Sequence, residues 1–258
     1  MKDLSIVIPT CQRAVLLEQC LASVEHGTSC DYELVVVDGA STDGTAQVLD
    51  AARQRLGDRL VVIREERREG FTKGINKGFR AATGRYITWL NDDARPTVGT
   101  MDQAFGQMTT LKADVGLLAL FHAWHGTKSV AYETRMNGHV YRLLHVRGTL
   151  YANFGMGRRE TFASLGYFDE GYFVKGCDPD FSLKAWHAGL KVEPAYMTAI
   201  DHDEHVDDRR DADAGAGERD NLRLFNKWNL PDKNATRNDF DPAHPCTLRG
   251  RRDQAAAI

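Results

Sequence analysis

Paired cysteines are missing from this chain. Its five cysteines stand at 11, 20, 30, 177 and 246, an odd number with no Cys-x-x-Cys spacing. That argues against a disulfide scaffold and a zinc ribbon, and predicts reduced thiols. A basic excess is missing too: 33 Lys and Arg face 36 Asp and Glu, for a net charge of −3. No nucleic-acid groove, and so no nucleic-acid partner, is expected. No apolar run approaches the length of a membrane span. The chain passes straight from Lys2-Asp3 into a strand pattern with no signal peptide, so a cytoplasmic protein is expected. There is no internal repeat. What is present is 258 residues, 42% hydrophobic and 27% charged, enough for one large α/β domain or two small ones.

In chain order, Leu4–Ile8 reads as a buried strand stopped by Pro9. Val15, Leu16, Cys20, Leu21 and Val24 recur at helical spacing. Glu33–Val37 is a second buried strand ending at Asp38-Gly39, followed by a helix over Thr45–Leu56 and a strand at Leu60–Ile63. Phe71, Ile75, Phe79 and Ala82 mark a further helix, and Tyr86–Leu90 a further strand. Strands and helices alternating over short links predict a doubly wound, parallel sheet in the first hundred residues. Beyond Pro96 the rhythm changes. A helix near Met101–Leu111 leads to a strand at Val115–Phe121, then to a polar stretch rich in His, Tyr and Arg at 122–150. Arg158–Leu165 reads as a short helix. Asp178-Pro179 opens another helix, which Gly189 closes. Val206–Asp220 is charged and rich in Gly and Ala, and reads as a mobile loop. Leu222, Phe225 and Trp228 mark a last helix, and 231–258 reads as a poorly ordered tail.

The chemistry concentrates at strand ends. Asn91-Asp92-Asp93 terminates an apolar run, and adjacent carboxylates repel unless something positive sits beside them. A cation carrying a phosphate is one answer, because hard metals take oxygen ligands; the simpler answer is a solvated turn. Asp38 stands at the end of the second strand, before the turn-rich GASTDGT, where a carboxylate can accept from a ribose hydroxyl or a base N–H. That loop is neither Gly-x-Gly-x-x-Gly nor an EF-hand. Lys73, Lys77 and Arg80 share one helix face and either meet phosphates or form a solvated face. Asp178 is either a helix cap or an exposed carboxylate beside a pocket. His202 and His205 are each a candidate third ligand beside the carboxylate pair.

Four segments in order then resemble the family 2 glycosyltransferases of the GT-A fold, over about residues 4–230. They are SIVIPTCQR, VVVDGASTDGT, GFTKGINKGFRAATGRYITWLNDD and GYFDEGYFVKGCDPDFSLKAWHAGLKV. The resemblance implies an α/β fold with a doubly wound, mostly parallel central sheet and helices on both faces. It implies one domain over 1–230, with a nucleotide-sugar half at 1–96 and an acceptor half at 97–230. The implied reaction is inverting transfer of a hexosyl or deoxyhexosyl group from a nucleotide diphosphate-sugar donor to a hydroxyl of a glycan or lipid-linked acceptor, in polysaccharide biosynthesis. By position, Pro9, Thr10 and Asp38 would hold the nucleoside, Lys73 would join them at the donor, and Asp92 would approach the ribose. Asp93 would bind a divalent metal, Mn2+ or Mg2+, with His202 completing the site and His205 as its alternative. An imidazole ligand favours manganese. Asp178 would be the general base. The family often has Tyr where Cys11 stands, a second acid where Gly39 stands and Glu where Cys177 stands. A lipid-linked acceptor would bring the protein to the inner face of the membrane as a peripheral protein, without a span.

Two other readings stay open. A nucleotidyltransferase making nucleotide sugars would want a Gly-rich phosphate loop, and IPTCQR has no glycine. A non-catalytic sugar-binding domain on the same fold would not need Asp38, Asp93, Asp178 and a histidine together.

Overall fold

Strand β1 (Leu4–Thr10) is buried at every position in the computed structural model, which describes residues 2–126, 129–146, 148–202, 207–228 and 230. Its apolar run reflects its place inside the sheet, where both faces are covered. β2 (Tyr32–Asp38) lies parallel to it on one side and β4 (Tyr86–Trp89) parallel on the other. β3 (Leu60–Arg64) continues the parallel set beyond β2. Pro9 does not stop β1. Val7 O accepts from Leu90 N on the β4 side and Thr10 O from Gly39 N on the β2 side. Alternation therefore turns Pro9 toward β4, whose pairing ends at Val7, so its missing N–H costs no ladder bond.

Side chains alternate across the sheet and feed two cores. Leu4, Ile6 and Ile8 pack with α1 (Ala14–Gly27), α2 (Thr45–Leu56) and α4 (Thr100–Thr110). Val7 and Val35 pack on the opposite face with α3 (Phe71–Ala81), α5 (Arg159–Ser164) and α6 (Cys177–His187). Helices on both faces are what the alternating pattern predicts. Phe79, Trp89, Phe162, Phe168 and Phe181 meet edge-on or tilted, which locks α3, β4, α5 and α6 together.

The second half makes the sheet mixed. β6 (Val115–Ala123) and β11 (Lys191–His202) run parallel to each other, and the short β5 (Ala94–Pro96) pairs antiparallel with β11 at the edge. Between β4 and β6 lies β10 (Gly155–Arg158), antiparallel to both. Its pattern, Gly-Met-Gly-Arg, carries no strand signal. Glycine is there for space: a Cβ at Gly155 would stand 2.5 Å from the Trp89 ring, and one at Gly157 2.7 Å from Gly116 O. The polar stretch after β6 forms β7 (Val130–Met136), β8 (His139–Val146) and β9 (Thr149–Tyr151), with β8 pairing to β6, β7 and β9.

The expected loop before the last helix is a correction. Asp208–Lys227 is one 20-residue helix, α7. Asp207 caps it, accepting from Arg210 N at 2.9 Å. Its buried stripe is Asp213, Gly217, Asp220 and Leu224, at helical spacing but mostly polar, so hydrophobic periodicity does not reveal it. Val206, His205 and the tail at 231–258 lie outside the described residues. Among the described residues no helix is long and apolar enough to cross a membrane.

Candidate active site

A cleft of about 770 Å³ opens beyond the carboxyl ends of β1, β2 and β4, the side on which open α/β sheets bind ligands. Pro9 and Thr10 end β1 in it and Cys11 and Arg13 follow, Gly39 follows β2, and Asn91, Asp92 and Asp93 follow β4. The hairpin region contributes Trp124, Ser129, His145, Tyr151 and Asn153 to the far wall. Asp178 comes from the first turn of α6 and Lys175 from the segment just before it, and Arg209, Arg210 and Asp213 from α7.

Asp92 and Asp93 are 4% and 1% exposed, so their charges must be met by the protein or by a ligand. Guanidinium groups meet them. Arg13, itself 5% exposed, donates to Asp92 Oδ1 at 3.0 Å and to Asp93 Oδ2 at 2.9 Å. Its Nε donates to Asp207 Oδ2 at 2.7 Å. Arg210 adds a bond to Asp93 Oδ2 at 3.1 Å, and Thr10 Oγ1 donates to Asp92 Oδ2 at 2.9 Å. Burial alone would raise the Asp93 pKa, but His202, Arg13 and Arg210 outweigh it and hold it at about 2. Asp92 goes the other way: burial lifts it, and Arg13 does not fully offset that.

His202 reaches this centre through the sheet. It ends β11, opposite Ala94 of β5, which directly follows Asp93. Its Nε2 lies 3.3 Å from Asp93 Oδ1. That oxygen is buried and accepts no hydrogen bond, and the His202 Nδ1 is likewise buried without a partner. Phe154 packs edge-on to the imidazole, 5.2 Å between ring centroids. An unsatisfied carboxylate oxygen facing an imidazole nitrogen fits a divalent ion that takes its other ligands from substrate phosphate and water. Among the described residues no group of three His, Cys, Asp or Glu side chains converges, so the described residues offer this pair and no closed cage.

Asp178 lies across the same cleft. It does not cap its helix: Gly176, at φ 79, is the N-cap, and Asp178 falls in the first turn. Its Oδ1 is buried without a hydrogen-bond partner. Burial pushes its pKa up to about 7, with the Trp89 indole opposing. Asp180, two residues on, serves a different purpose. Fully buried, it accepts from Trp228 Nε1 at 2.6 Å and from Tyr172 OH at 3.3 Å, and pairs with Lys227 at 2.8 Å.

The structure thus brings together Pro9, Thr10, Asp92, Asp93, Asp178 and His202. Asp38 is buried behind the rim, where its Oδ1 accepts from Ser41 N at 3.0 Å, and Gly39 rather than Asp38 borders the cleft. Lys73 is exposed on α3 and does not line the cleft. Lys77 bonds Glu65 and Glu69, each at 2.6 Å, and Arg80 pairs with Glu170, so that face is an ion-pair network. Among the described residues the cations lining the cleft are Arg13, Arg68, Lys175, Arg209 and Arg210, none of which the sequence motifs single out. Two buried adjacent carboxylates demand cations, and Arg13 stands three residues past the first strand; that was the available signal. Arg68 is held by Asp213. Arg209 forms no hydrogen bond at Nε, and burial lowers its pKa.

Known proteins share both the sequence pattern and the architecture. The "PGL/p-HBAD biosynthesis glycosyltransferase" of Mycobacterium tuberculosis is 39% identical over 89 residues, 34% of this chain and 34% of that protein's own length. "Glycosyltransferase AglE" of Haloferax volcanii is 23% identical over 198 residues, 74% of this chain and 64% of the relative. Among solved structures, the mannosyltransferase PcManGT from Pyrobaculum calidifontis, in complex with GDP-Man and Mn2+, superposes with a TM-score of 0.67 at 18% identity. That superposition covers 90% of this chain and 67% of the other, and it shows a shared GT-A-like fold. The sequence pattern of Glycosyl transferase family 2 matches residues 5–166. With more than half of its length inside that pattern and the architecture to match, the chain belongs to glycosyl transferase family 2.

Proposed function

We propose that this protein is an inverting glycosyltransferase that moves a sugar from a nucleotide diphosphate-sugar to a hydroxyl of a glycan or lipid-linked acceptor. The observation that carries the reading is the Asp178 carboxylate, whose Oδ1 is buried without a hydrogen-bond partner, in the cleft that also holds the Asp93–His202 pair. A base with a pKa near 7 is matched to its task at neutral pH.

In this reading the nucleoside lies over Pro9, Thr10 and Gly39, with Asp38 behind them bracing the loop. The diphosphate lies toward Asp93, among Arg13, Arg209 and Arg210. Asp93 Oδ1 and His202 Nε2 would hold a divalent metal, manganese in preference to magnesium. When bound, it supplies positive charge against the leaving diphosphate. Asp178 takes the proton from the acceptor hydroxyl as that oxygen bonds to the anomeric carbon. The bond from that carbon to the diphosphate breaks, and its electron pair leaves on the phosphate oxygen. Arg209 and Arg210 stabilise that developing charge. One base and one displacement invert the anomeric centre. Trp124, His145, Tyr151 and Asn153 wall the side open to the acceptor. The catalytic domain is proposed to span residues 1–230, and a lipid-linked acceptor would be met at the membrane surface.

A thermal-shift screen of nucleoside diphosphates and nucleotide sugars, GDP-mannose and UDP-N-acetylglucosamine among them, tests this with and without manganese. A selective, manganese-dependent rise in melting temperature is expected by linkage, with nucleoside diphosphate released on turnover. No response to any nucleotide sugar would overturn the reading. Release of pyrophosphate from a nucleoside triphosphate and a sugar phosphate would replace it with nucleotidyl transfer.

A further inference from the structure

Asp220 sits on the inward stripe of α7 and is 4% exposed. Its carboxylate accepts from three successive backbone amides. Phe173 N lies 3.0 and 3.1 Å from its two oxygens, Val174 N 2.7 Å and Lys175 N 2.9 Å from Oδ2. Residues 173–175 belong to no helix or strand, so the carboxylate supplies what a ladder would supply elsewhere. Successive amides turned toward one anion form a stiff, charge-assisted grip.

The gripped segment leads straight into the first turn of α6. Gly176 follows at φ 79, then Cys177 and Asp178. The other side of the segment is pinned as well. The Phe173 ring rests on Gly70, where a Cβ would come within 2.6 Å of it. Asp180, just past Asp178, is gripped by Lys227 and Trp228 from the far end of α7. The first turn of α6 is therefore held before and after Asp178 by one helix, whose start carries Arg210 on Asp93.

We propose that Asp220 is a positioning residue: by fixing the Phe173–Lys175 amides it sets where the Asp178 carboxylate stands relative to the donor. This rests on Asp178 being the base. Asn at 220 offers one acceptor oxygen and no charge to three amides, so the segment loosens. Glu keeps both oxygens and the charge but shifts the grip by one methylene.

The test is a double-mutant cycle between Asp220→Asn and Asp178→Asn, using the nucleotide sugar that wild-type protein turns over in the manganese screen. Asp220→Asn is expected to lower turnover at saturating donor by roughly 10²-fold, the scale of a small misplacement of a reacting group. Donor affinity should stay within about twofold, since the lost interaction belongs to the chemical step. In the Asp178→Asn background it should cost nothing further, because the two act as one unit. Asp220→Glu should recover part of the rate. Amide hydrogen exchange at 173–175 should quicken in Asp220→Asn without any ligand. Losses that add, a parallel loss of donor affinity, or unchanged exchange would each overturn the proposal. Normal turnover by Asp178→Asn would remove the base assignment and this proposal with it. An inactive Asp178→Asn beside a normal Asp220→Asn would overturn the positioning role alone. Should Asp220→Asn fail to fold, Asp220→Glu carries the cycle, with the same outcomes deciding.

Discussion

His202 Nε2 stands 3.3 Å from Asp93 Oδ1 because β11 runs antiparallel to β5 and sets His202 opposite Ala94. The contact brings the last strand of the fold to the end of the fourth. Removing either partner should therefore act on metal affinity. Asp93→Asn is expected to abolish the manganese dependence of nucleotide-sugar binding, and His202→Ala to weaken it. His202→Ala should weaken it more than His205→Ala does. Manganese titration followed by electron paramagnetic resonance reads this directly, and the reverse order would move the ligand to His205. Asp93→Ala is the poorer probe. Both changes strip an anion from buried Arg13, and breaking a buried pair costs about 3–5 kcal/mol in stability, but Asn leaves Arg13 an amide oxygen to bond and Ala leaves it none.

Asp178→Asn should keep the fold and the donor affinity and lose transfer by roughly 10²-fold or more. The wild-type rate should fall as pH drops below about 7, where Asp178 takes up its proton. The stability effect has the opposite sense. A carboxyl whose folded pKa is raised from 3.8 to about 7 costs the fold nothing at low pH. The cost grows as pH rises between those values and is complete above the folded one. Asp178→Asn should thus raise the melting temperature at pH 8 and leave it little changed near pH 4. A flat difference between the two would show that burial does not set this pKa.

Asp180→Asn is no silent neighbour of that substitution. Asp180 is fully buried and holds Trp228, Lys227 and Tyr172. Loss of its charge should cost about 1–3 kcal/mol, the penalty for a buried group left poorly satisfied. Urea denaturation should show a lower midpoint at unchanged slope. Unchanged stability would mean that the Lys227 contact contributes nothing.

Arg209→Gln should weaken nucleoside diphosphate binding by roughly tenfold or more, the worth of one charged hydrogen bond. It should cost little stability, since burial already disfavours the Arg209 charge. Isothermal titration with UDP and GDP, beside a melting curve, separates the two. Unaltered affinity would place the diphosphate away from α7.

Gly155→Ala should destabilise by about 1–3 kcal/mol through overpacking, because the new methyl would lie 2.5 Å from the Trp89 ring. Differential scanning calorimetry measures it. A neutral result would mean that Trp89 moves aside at little cost.

The sequence by itself determined the parallel half of the sheet. Apolar runs at Leu4–Ile8 and Glu33–Val37, with helical spacing between them, admit few other arrangements, since strands covered on both faces must be apolar throughout. It also offered Asp92, Asp93, Asp178 and one of His202 and His205 as candidates, the carboxylate pair because adjacent charges repel and the roles of all of them through the resemblance to the family. Tertiary structure decided the rest. β10 hides behind Gly155 and Gly157, chosen for the space Trp89 and Gly116 need rather than for strand propensity. α7 hides behind Asp213, Gly217 and Asp220, whose partners are Arg68, Lys175 and the Phe173–Lys175 amides. A polar side chain turned inward reads as loop until its partner is known, and these partners lie far away in sequence. The same reason kept Arg13, Arg209 and Arg210 out of view. Periodicity reports local burial of apolar surface, whereas charge pairing is settled only when distant segments meet.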